Sequence, residues 1–158
     1  MTTEELENVT PTQNSSPSSE GINVIARIRP FLKNEVVPET PCIYKKENYI
    51  ITQDPANRTL TSEHLFDAVY GPEADQVAVF QSLTKSLDKV LSGIPLLQIN
   101  YGVTSSGKTY TLFGTQQHPG LLVQSYRYIT EKLVGVQVYI SCVQIYLNLI
   151  TDLLNNCQ

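Results

Sequence analysis

The chain has 158 residues, of which 41% are hydrophobic, and a formal net charge of −4. This length suits one ordinary domain with its own core. Four of the 15 acidic residues lie within residues 1–20, which hold no lysine or arginine, so the rest of the chain carries 11 acidic and 11 basic side chains. A neutral domain has no basic field, which argues against nucleic acid or another acidic polymer as a partner.

Residues 1–20 consist largely of Ser, Thr, Asn, Glu and Pro. Such a segment buries too little apolar surface to offset its loss of conformational entropy, so we expect a disordered acidic tail at 1–20 and a folded domain over 21–158. The tail lacks the basic start and apolar stretch of a signal peptide. The rest of the sequence contains no run of about 18 apolar residues, so no membrane span is predicted.

The sequence contains three cysteines with no metal-binding spacing: Cys42, Cys142 and Cys157. An odd number of cysteines fits reduced thiols better than a disulfide framework, which favours a cytoplasmic location.

In chain order, the first predicted element is a strand at Ile22–Ile28, which Arg29-Pro30 ends. Residues 31–63 contain short extended pieces such as Tyr49–Thr52, separated by prolines and turn residues, and predict a small β appendage.

A helix is predicted from Asp75, as its N-cap, to Ser92, with Gly93 as the stop. Its apolar residues recur at steps of three and four: Val77, Phe80, Leu83, Leu87, Val90 and Leu91. The apolar run Ile94–Asn100 that follows has the length and composition of a buried parallel strand. Further on, we expect a helix at Leu121–Val134, a strand at Val136–Tyr146 and a short helical or turn segment at Asn148–Leu154.

The most informative stretch fits the phosphate-loop pattern G-x-x-x-x-G-K-[ST], with a predicted strand before it and a short helix, ended by Gly114, after it. Its glycines allow a tight turn in which successive N–H groups face an anion. Lys108 would reach the β- and γ-phosphates and Thr109 would ligate Mg²⁺. The alternative is a Gly/Ser-rich surface turn with a stray lysine. The loop comprises Gly102, Val103, Thr104, Ser105, Ser106, Gly107, Lys108 and Thr109.

Four segments together resemble the kinesin motor domain, in the same order. Asn100–Thr111 resembles its phosphate loop YGxTxSGKTYTM, and Arg27–Pro30 resembles its RxRP element. Phe66–Gly71 resembles its FDxVF segment, and Ile145–Leu154 resembles EIYNExIxDLL. These segments extend over most of the chain after residue 20.

The resemblance implies an α/β fold of the P-loop NTPase class, with a kinesin-like central sheet flanked by helices, here incomplete. It implies ATP and Mg²⁺ as ligands, with Arg27, Pro30 and Tyr110 near the adenine. It also implies a cytoskeletal location and the microtubule as partner, in a family that couples ATP hydrolysis to microtubule-based movement.

The chain departs from the family pattern in two ways. Val103 replaces the usual Gln, and Gln144, Leu147 and Asn148 stand where the family often has Glu, Asn and Glu. The family's switch segments NxxSSRSH and DLAGSE do not occur in this sequence.

The sequence also offers no obvious carboxylate for hydrolysis. After Thr109 the only carboxylates are Glu131 and Asp152, and neither ends a four-residue apolar run. We therefore assign no catalytic residue and leave enzymatic activity open. The alternatives are a non-catalytic nucleotide-binding or partner-binding module, whose fold a second polypeptide completes, and a truncated product without a stable fold.

Overall fold

The computed structural model describes residues 22–155, so the predicted tail at 1–20 and Cys157 lie outside the described residues. The chain divides into two compact units. The first comprises the described part of Met1–Ser82 together with Gly102–Gly107; the second comprises Leu83–Tyr101 and the described part of Lys108–Gln158. Across residues 22–155, the helices are too short or too polar to cross a lipid bilayer.

The first unit begins with a parallel strand pair. Strand β1 (Ile25–Arg27) lies beside β5 (Ala68–Tyr70), with Ala26 opposite Val69. The pairing continues past β1, because the Ile28 amide donates to the Tyr70 carbonyl at 2.8 Å. The strand predicted over Ile22–Ile28 is therefore confirmed at its centre but is shorter than expected.

Three antiparallel strands form a second sheet in the same unit: β2 (Ile43–Lys46), β3 (Tyr49–Gln53) and β4 (Thr61–Leu65). Between β2 and β3 the chain reverses at Glu47, whose φ is 53°. Between β3 and β4 the Asp54 carboxylate accepts hydrogen bonds from the next amides, at 2.7 Å from Ala56 and 3.0 Å from Asn57. Such an Asx turn is what the Asp-Pro-Ala-Asn sequence favours. The predicted β appendage is thus confirmed.

Helix α1 (Gln76–Gln81) begins as predicted, because the Asp75 side chain accepts a hydrogen bond from the Ala78 amide at 2.7 Å. One continuous helix to Ser92, however, was the wrong prediction. The Ser82 hydroxyl and amide both donate to the Val79 carbonyl, at 2.7 and 3.3 Å, which competes with the normal helical bond. A second helix, α2 (Thr84–Leu91), follows this break.

Helix α2 ends as the sequence predicts, at Gly93 with φ 89°. The amides of Gly93 and Ile94 donate back to the carbonyls of Val90 and Lys89, at 2.9 and 3.0 Å. A left-handed glycine with two such backward bonds is a favourable way to end a helix.

The segment Ile94–Asn100 is not a strand, which corrects the prediction made from its apolar run. The side chains from Ile94 to Ile99 are exposed rather than buried, with Leu97 at 83% and Ile99 at 75%. A parallel strand needs hydrogen-bonded neighbours, and none of the described strands pairs with this segment. The Nδ2 atom of Asn100 is buried without a hydrogen-bond partner.

The remaining helices belong to the second unit: α3 (Lys108–Leu112) and α4 (Leu121–Lys132). The helix predicted at Leu121–Val134 is confirmed to within two residues at its end. Leu87 of α2 and Leu121 of α4 are buried, each about 3–4% exposed. The surface link between the two helices is polar: the Asp88 carboxylate accepts hydrogen bonds from the Tyr128 hydroxyl at 2.7 Å and the Lys132 ammonium at 2.9 Å.

The second unit also contains a hairpin of β6 (Val143–Tyr146) and β7 (Leu149–Asp152), which reverses at Leu147 with φ 53°. The strand predicted from Val136 therefore exists only in its last four residues. The helical or turn segment predicted from Asn148 was wrong, because residues 149–152 pair as a strand. All the residues of β6 and β7 are exposed.

Candidate functional site

The backbone of the predicted phosphate loop turns sharply. Gly102 has φ 154°, Ser105 has φ 64° and Gly107 has φ 96°. The Ser106 amide donates to the Val103 carbonyl at 3.2 Å, which closes one turn inside the loop. Residues with positive φ interspersed among ordinary ones direct successive N–H groups to the same side of the chain. The loop thus has the backbone shape that suits an anion.

Gly107 is required for its conformation rather than for space. A Cβ atom added there would be 3.8 Å from Cδ of Arg29, an ordinary van der Waals distance. Its φ of 96°, however, lies where residues with a side chain are strained. The sequence pattern and the backbone therefore agree on a glycine at this position.

Helix α3 begins immediately after the loop, at Lys108. Lys108 is half-buried in its first turn, and Thr109 beside it is exposed. Tyr110, predicted to pack near adenine, is 41% exposed on the same helix. The predicted order of loop and short helix is therefore present.

A tight crossing of the backbone follows α3. Gly114, with φ 70°, pairs with Pro119 as an isolated β-bridge. The Gly120 amide donates to the Phe113 carbonyl at 2.9 Å. A Cβ atom on Gly114 would collide with the His118 carbonyl oxygen, which is backbone and cannot move aside as a side chain would. The predicted end of the helix at Gly114 is confirmed, and its role is to let the chain pass close to itself.

Arg27 lies at the end of β1 and is bonded within the first unit. Its guanidinium donates to the Gln76 side-chain oxygen at 2.7 Å and to the Ala74 carbonyl at 3.2 Å. Gln76 is only 3% exposed. Because a buried amide needs hydrogen-bond partners, Arg27 ties β1 to the start of α1. Pro30, three residues on, is exposed.

Arg29 forms a double ion pair with Glu35. The two nitrogen–oxygen distances are 2.7 Å, from Nη2 to Oε1, and 2.9 Å, from Nη1 to Oε2. Nη1 also donates to the Pro30 carbonyl at 3.1 Å. The pKa of Glu35 is lowered, mainly by the hydrogen bond from Arg29 and then by the Leu32 amide. The pKa of Arg29 is raised, mainly by its hydrogen bond to Glu35.

The structure distributes the predicted site residues between the two units. Arg27, Pro30 and the loop residues up to Gly107 belong to the first unit, and Lys108, Thr109 and Tyr110 belong to the second. Sequence reasoning assigned no role to Gln76 or Glu35, because the local pattern around each residue does not indicate its distant hydrogen-bond partner. Within residues 22–155, no cluster of His, Cys, Asp and Glu side chains could hold a metal ion by itself.

A statistical model of the kinesin motor domain matches residues 27–158. The chain belongs to the kinesin motor domain family. Among similar proteins, it is 35% identical over 150 residues to the human kinesin-like protein KIF19, covering 84% of this chain. It is 36% identical over 133 residues to the mouse kinesin-like protein KIF20A, covering 75% of this chain.

A solved structure has the same fold. It contains residues 391–755 of KIF14 with ADP, in complex with a microtubule, and matches with a TM-score of 0.68 at 21% identity. The match covers 86% of this chain and 42% of that one, and it confirms the predicted α/β fold class. The chain spans about 15% of the length of KIF19 and KIF20A.

Proposed function

We propose that the chain binds ATP with Mg²⁺ at the loop Gly102–Thr109. The observation that carries this proposal is the coincidence of the G-x-x-x-x-G-K-[ST] pattern with a loop that has φ of 64° at Ser105 and 96° at Gly107 and leads directly into a helix. A surface turn with a stray lysine would not need this conformation. The family membership supports the same ligand.

Each part of the loop has a distinct role in this proposal. The amides of the loop residues donate to the phosphate oxygens, and the Lys108 ammonium supplies the positive charge for the terminal phosphates. The exposed hydroxyl of Thr109 is the metal ligand, since hydroxyl oxygen suits a hard cation. Mg²⁺ held by Thr109 would supply positive charge that offsets the charge of the phosphates.

For the base, we propose contacts from Arg27, Pro30 and Tyr110. Arg27 already bonds Gln76 and Ala74. A contact with adenine would therefore be made by a side chain that is fixed before the ligand arrives, which lowers the entropy cost of binding.

At the level of the whole protein, we propose a kinesin-like role in microtubule-based movement at the cytoskeleton. The alternative is a module that binds nucleotide or a partner without turnover. The exposed apolar segment Ile94–Asn100 offers a surface that further polypeptide can cover, whether it belongs to the same protein or to a partner. Microtubule-stimulated ATP turnover separates the two: it is required by the motor role and absent from the binding module.

The test of nucleotide binding is Lys108→Ala, titrated with a fluorescent ATP analogue in the presence of Mg²⁺. Loss of a charge-assisted contact should weaken binding by about 2–4 kcal/mol. The matched control is Lys85→Ala, which removes an exposed lysine of α2 and should leave the affinity unchanged. Equal affinities for the wild type and Lys108→Ala would refute a phosphate-binding role for this loop.

A further inference from the structure

We propose that Gln76 is a positioning residue for the base of the nucleotide, and that it acts through Arg27. The inference rests on the proposed adenine contact of Arg27. It adds a residue that neither the phosphate-loop pattern nor the RxRP element contains. In this role the side-chain oxygen of Gln76 fixes the direction of the Arg27 guanidinium, and Gln76 itself does not touch the nucleotide.

The guanidinium of Arg27 is bound through two of its nitrogens. Nη1 donates to Oε1 of Gln76 at 2.7 Å, and Nη2 donates to the Ala74 carbonyl at 3.2 Å. Because the guanidinium is a rigid plane, bonds from two different nitrogens fix its orientation as well as its position. Gln76 supplies the shorter of these two bonds, and it is the one that a side-chain substitution can remove.

Gln76 is well suited to hold another side chain, because its own position is fixed. It is the first residue of α1, and the Asp75 carboxylate caps this helix by accepting from the Ala78 amide at 2.7 Å. The side chain of Gln76 is only 3% exposed, so packing limits its conformations. A buried amide is stable when it is hydrogen-bonded, which favours the conformation that meets Arg27.

Arg27, in contrast, is half-buried and depends on its hydrogen bonds for its direction. Without the oxygen of Gln76, water can bond to Nη1 and the long side chain can adopt other rotamers. A ligand that contacts Arg27 would then have to order it on binding. Ordering one such side chain weakens binding by about two- to twelvefold.

The first experiment measures whether Gln76 fixes Arg27 in the protein without nucleotide. The side-chain nitrogens of Arg27 are observed by NMR, and Arg27→Met identifies their signals. In the wild type the Nη resonances should be separate, because hydrogen bonds hinder rotation of the guanidinium. They should merge in Gln76→Leu and stay separate in Gln76→Glu, which keeps an acceptor oxygen. The control Gln81→Leu alters an exposed glutamine of the same helix and should leave the spectrum unchanged.

The second experiment measures the affinity of the same variants for adenosine, Mg·ATP and inorganic triphosphate with Mg²⁺. Gln76→Leu should bind adenosine and Mg·ATP about two- to twelvefold more weakly and bind triphosphate as the wild type does. Gln76→Glu should recover the affinity for adenosine. In an Arg27→Met background, Gln76→Leu should cause no further loss, because Gln76 acts through Arg27.

The results separate this proposal from the proposed function. Merged Nη signals in the wild type would overturn the role of Gln76, and so would unchanged adenosine affinity in Gln76→Leu. An equal loss of triphosphate affinity would also overturn it, since that would reflect general damage to the fold. If the wild type binds none of the three ligands, the proposed function fails, whereas the Arg27 signals still decide whether Gln76 fixes the guanidinium.

Discussion

Replacing Arg27 with methionine should destabilise the first unit even when no nucleotide is present. Methionine keeps most of the volume of the side chain but has no donor for the Gln76 oxygen or the Ala74 carbonyl. Gln76 is 3% exposed, so water cannot readily replace the lost partner. The perturbation therefore tests whether Arg27 is a structural tie between β1 and α1 as well as a proposed adenine contact.

The magnitude is worked from two of the bonds that disappear, at 2.7 and 3.2 Å. Hydrogen bonds from a charged donor contribute about 1.5–3 kcal/mol, and the longer bond contributes the smaller share. Because Arg27 is only half-buried, we expect a total loss of about 2–3 kcal/mol. Exchange of the Ile28 amide, which bonds across β1 and β5, should then accelerate about 30- to 160-fold.

Native-state hydrogen exchange of the Ile28 amide is the assay. Arg58→Met is the matched control, because Arg58 makes an exposed hydrogen bond of 3.3 Å to the Thr40 carbonyl. The double variant Arg27→Met with Gln76→Leu removes both members of the Arg27–Gln76 hydrogen bond. The side chain at position 76 then needs no hydrogen-bond partner, so much of the protection should return. Protection in Arg27→Met that equals that of Arg58→Met would refute the reasoning.

Two further predictions concern the second unit. Gly114→Ala should lower the stability of this unit by about 2–4 kcal/mol, since φ is 70° and a Cβ would collide with the His118 carbonyl. The measurement is hydrogen-exchange protection of the α4 amides, and protection equal to that of the wild type would contradict the prediction. The pKa of Asp88 is lowered, mainly by the Tyr128 hydroxyl and then by Lys132. The contribution of Asp88 to the stability of the second unit is therefore complete at neutral pH, and it is lost as the pH falls below the ordinary aspartate value of 3.8. In Asp88→Asn, the hydrogen-exchange protection of the α4 amides should no longer fall with pH in this range. A pH profile equal to that of the wild type would contradict this prediction.

Sequence reasoning succeeded where local chemistry determines the structure. Asp75 caps α1 with its own side chain, Gly93 ends α2, and Gly114 follows the end of α3. At each position a short-range pattern of hydrogen bonds favours the residue type that the sequence has there. The glycines of Gly102–Thr109 predicted the tight turn of this loop for the same reason, whereas its phosphate-binding role stays a prediction.

Sequence reasoning failed where the structure of a segment depends on residues that are distant in sequence. The run Ile94–Asn100 has strand composition, but composition does not supply a hydrogen-bonded partner. Asn148–Leu154 was interpreted as helical or a turn, yet its residues 149–152 pair with β6. The contacts of Arg27 with Gln76, 49 residues apart, could not be predicted, because nothing in either local pattern indicates the other.

The two compact units have small hydrophobic cores, which has a calorimetric consequence. Among residues 22–155, the buried hydrophobic side chains are Ile51, Val69, Val79, Leu87 and Leu121. The heat capacity increase on unfolding scales with the apolar surface that becomes hydrated. Because few apolar side chains are buried, unfolding should give a small increase in heat capacity and a low enthalpy per residue. The free energy of unfolding should then change little with temperature.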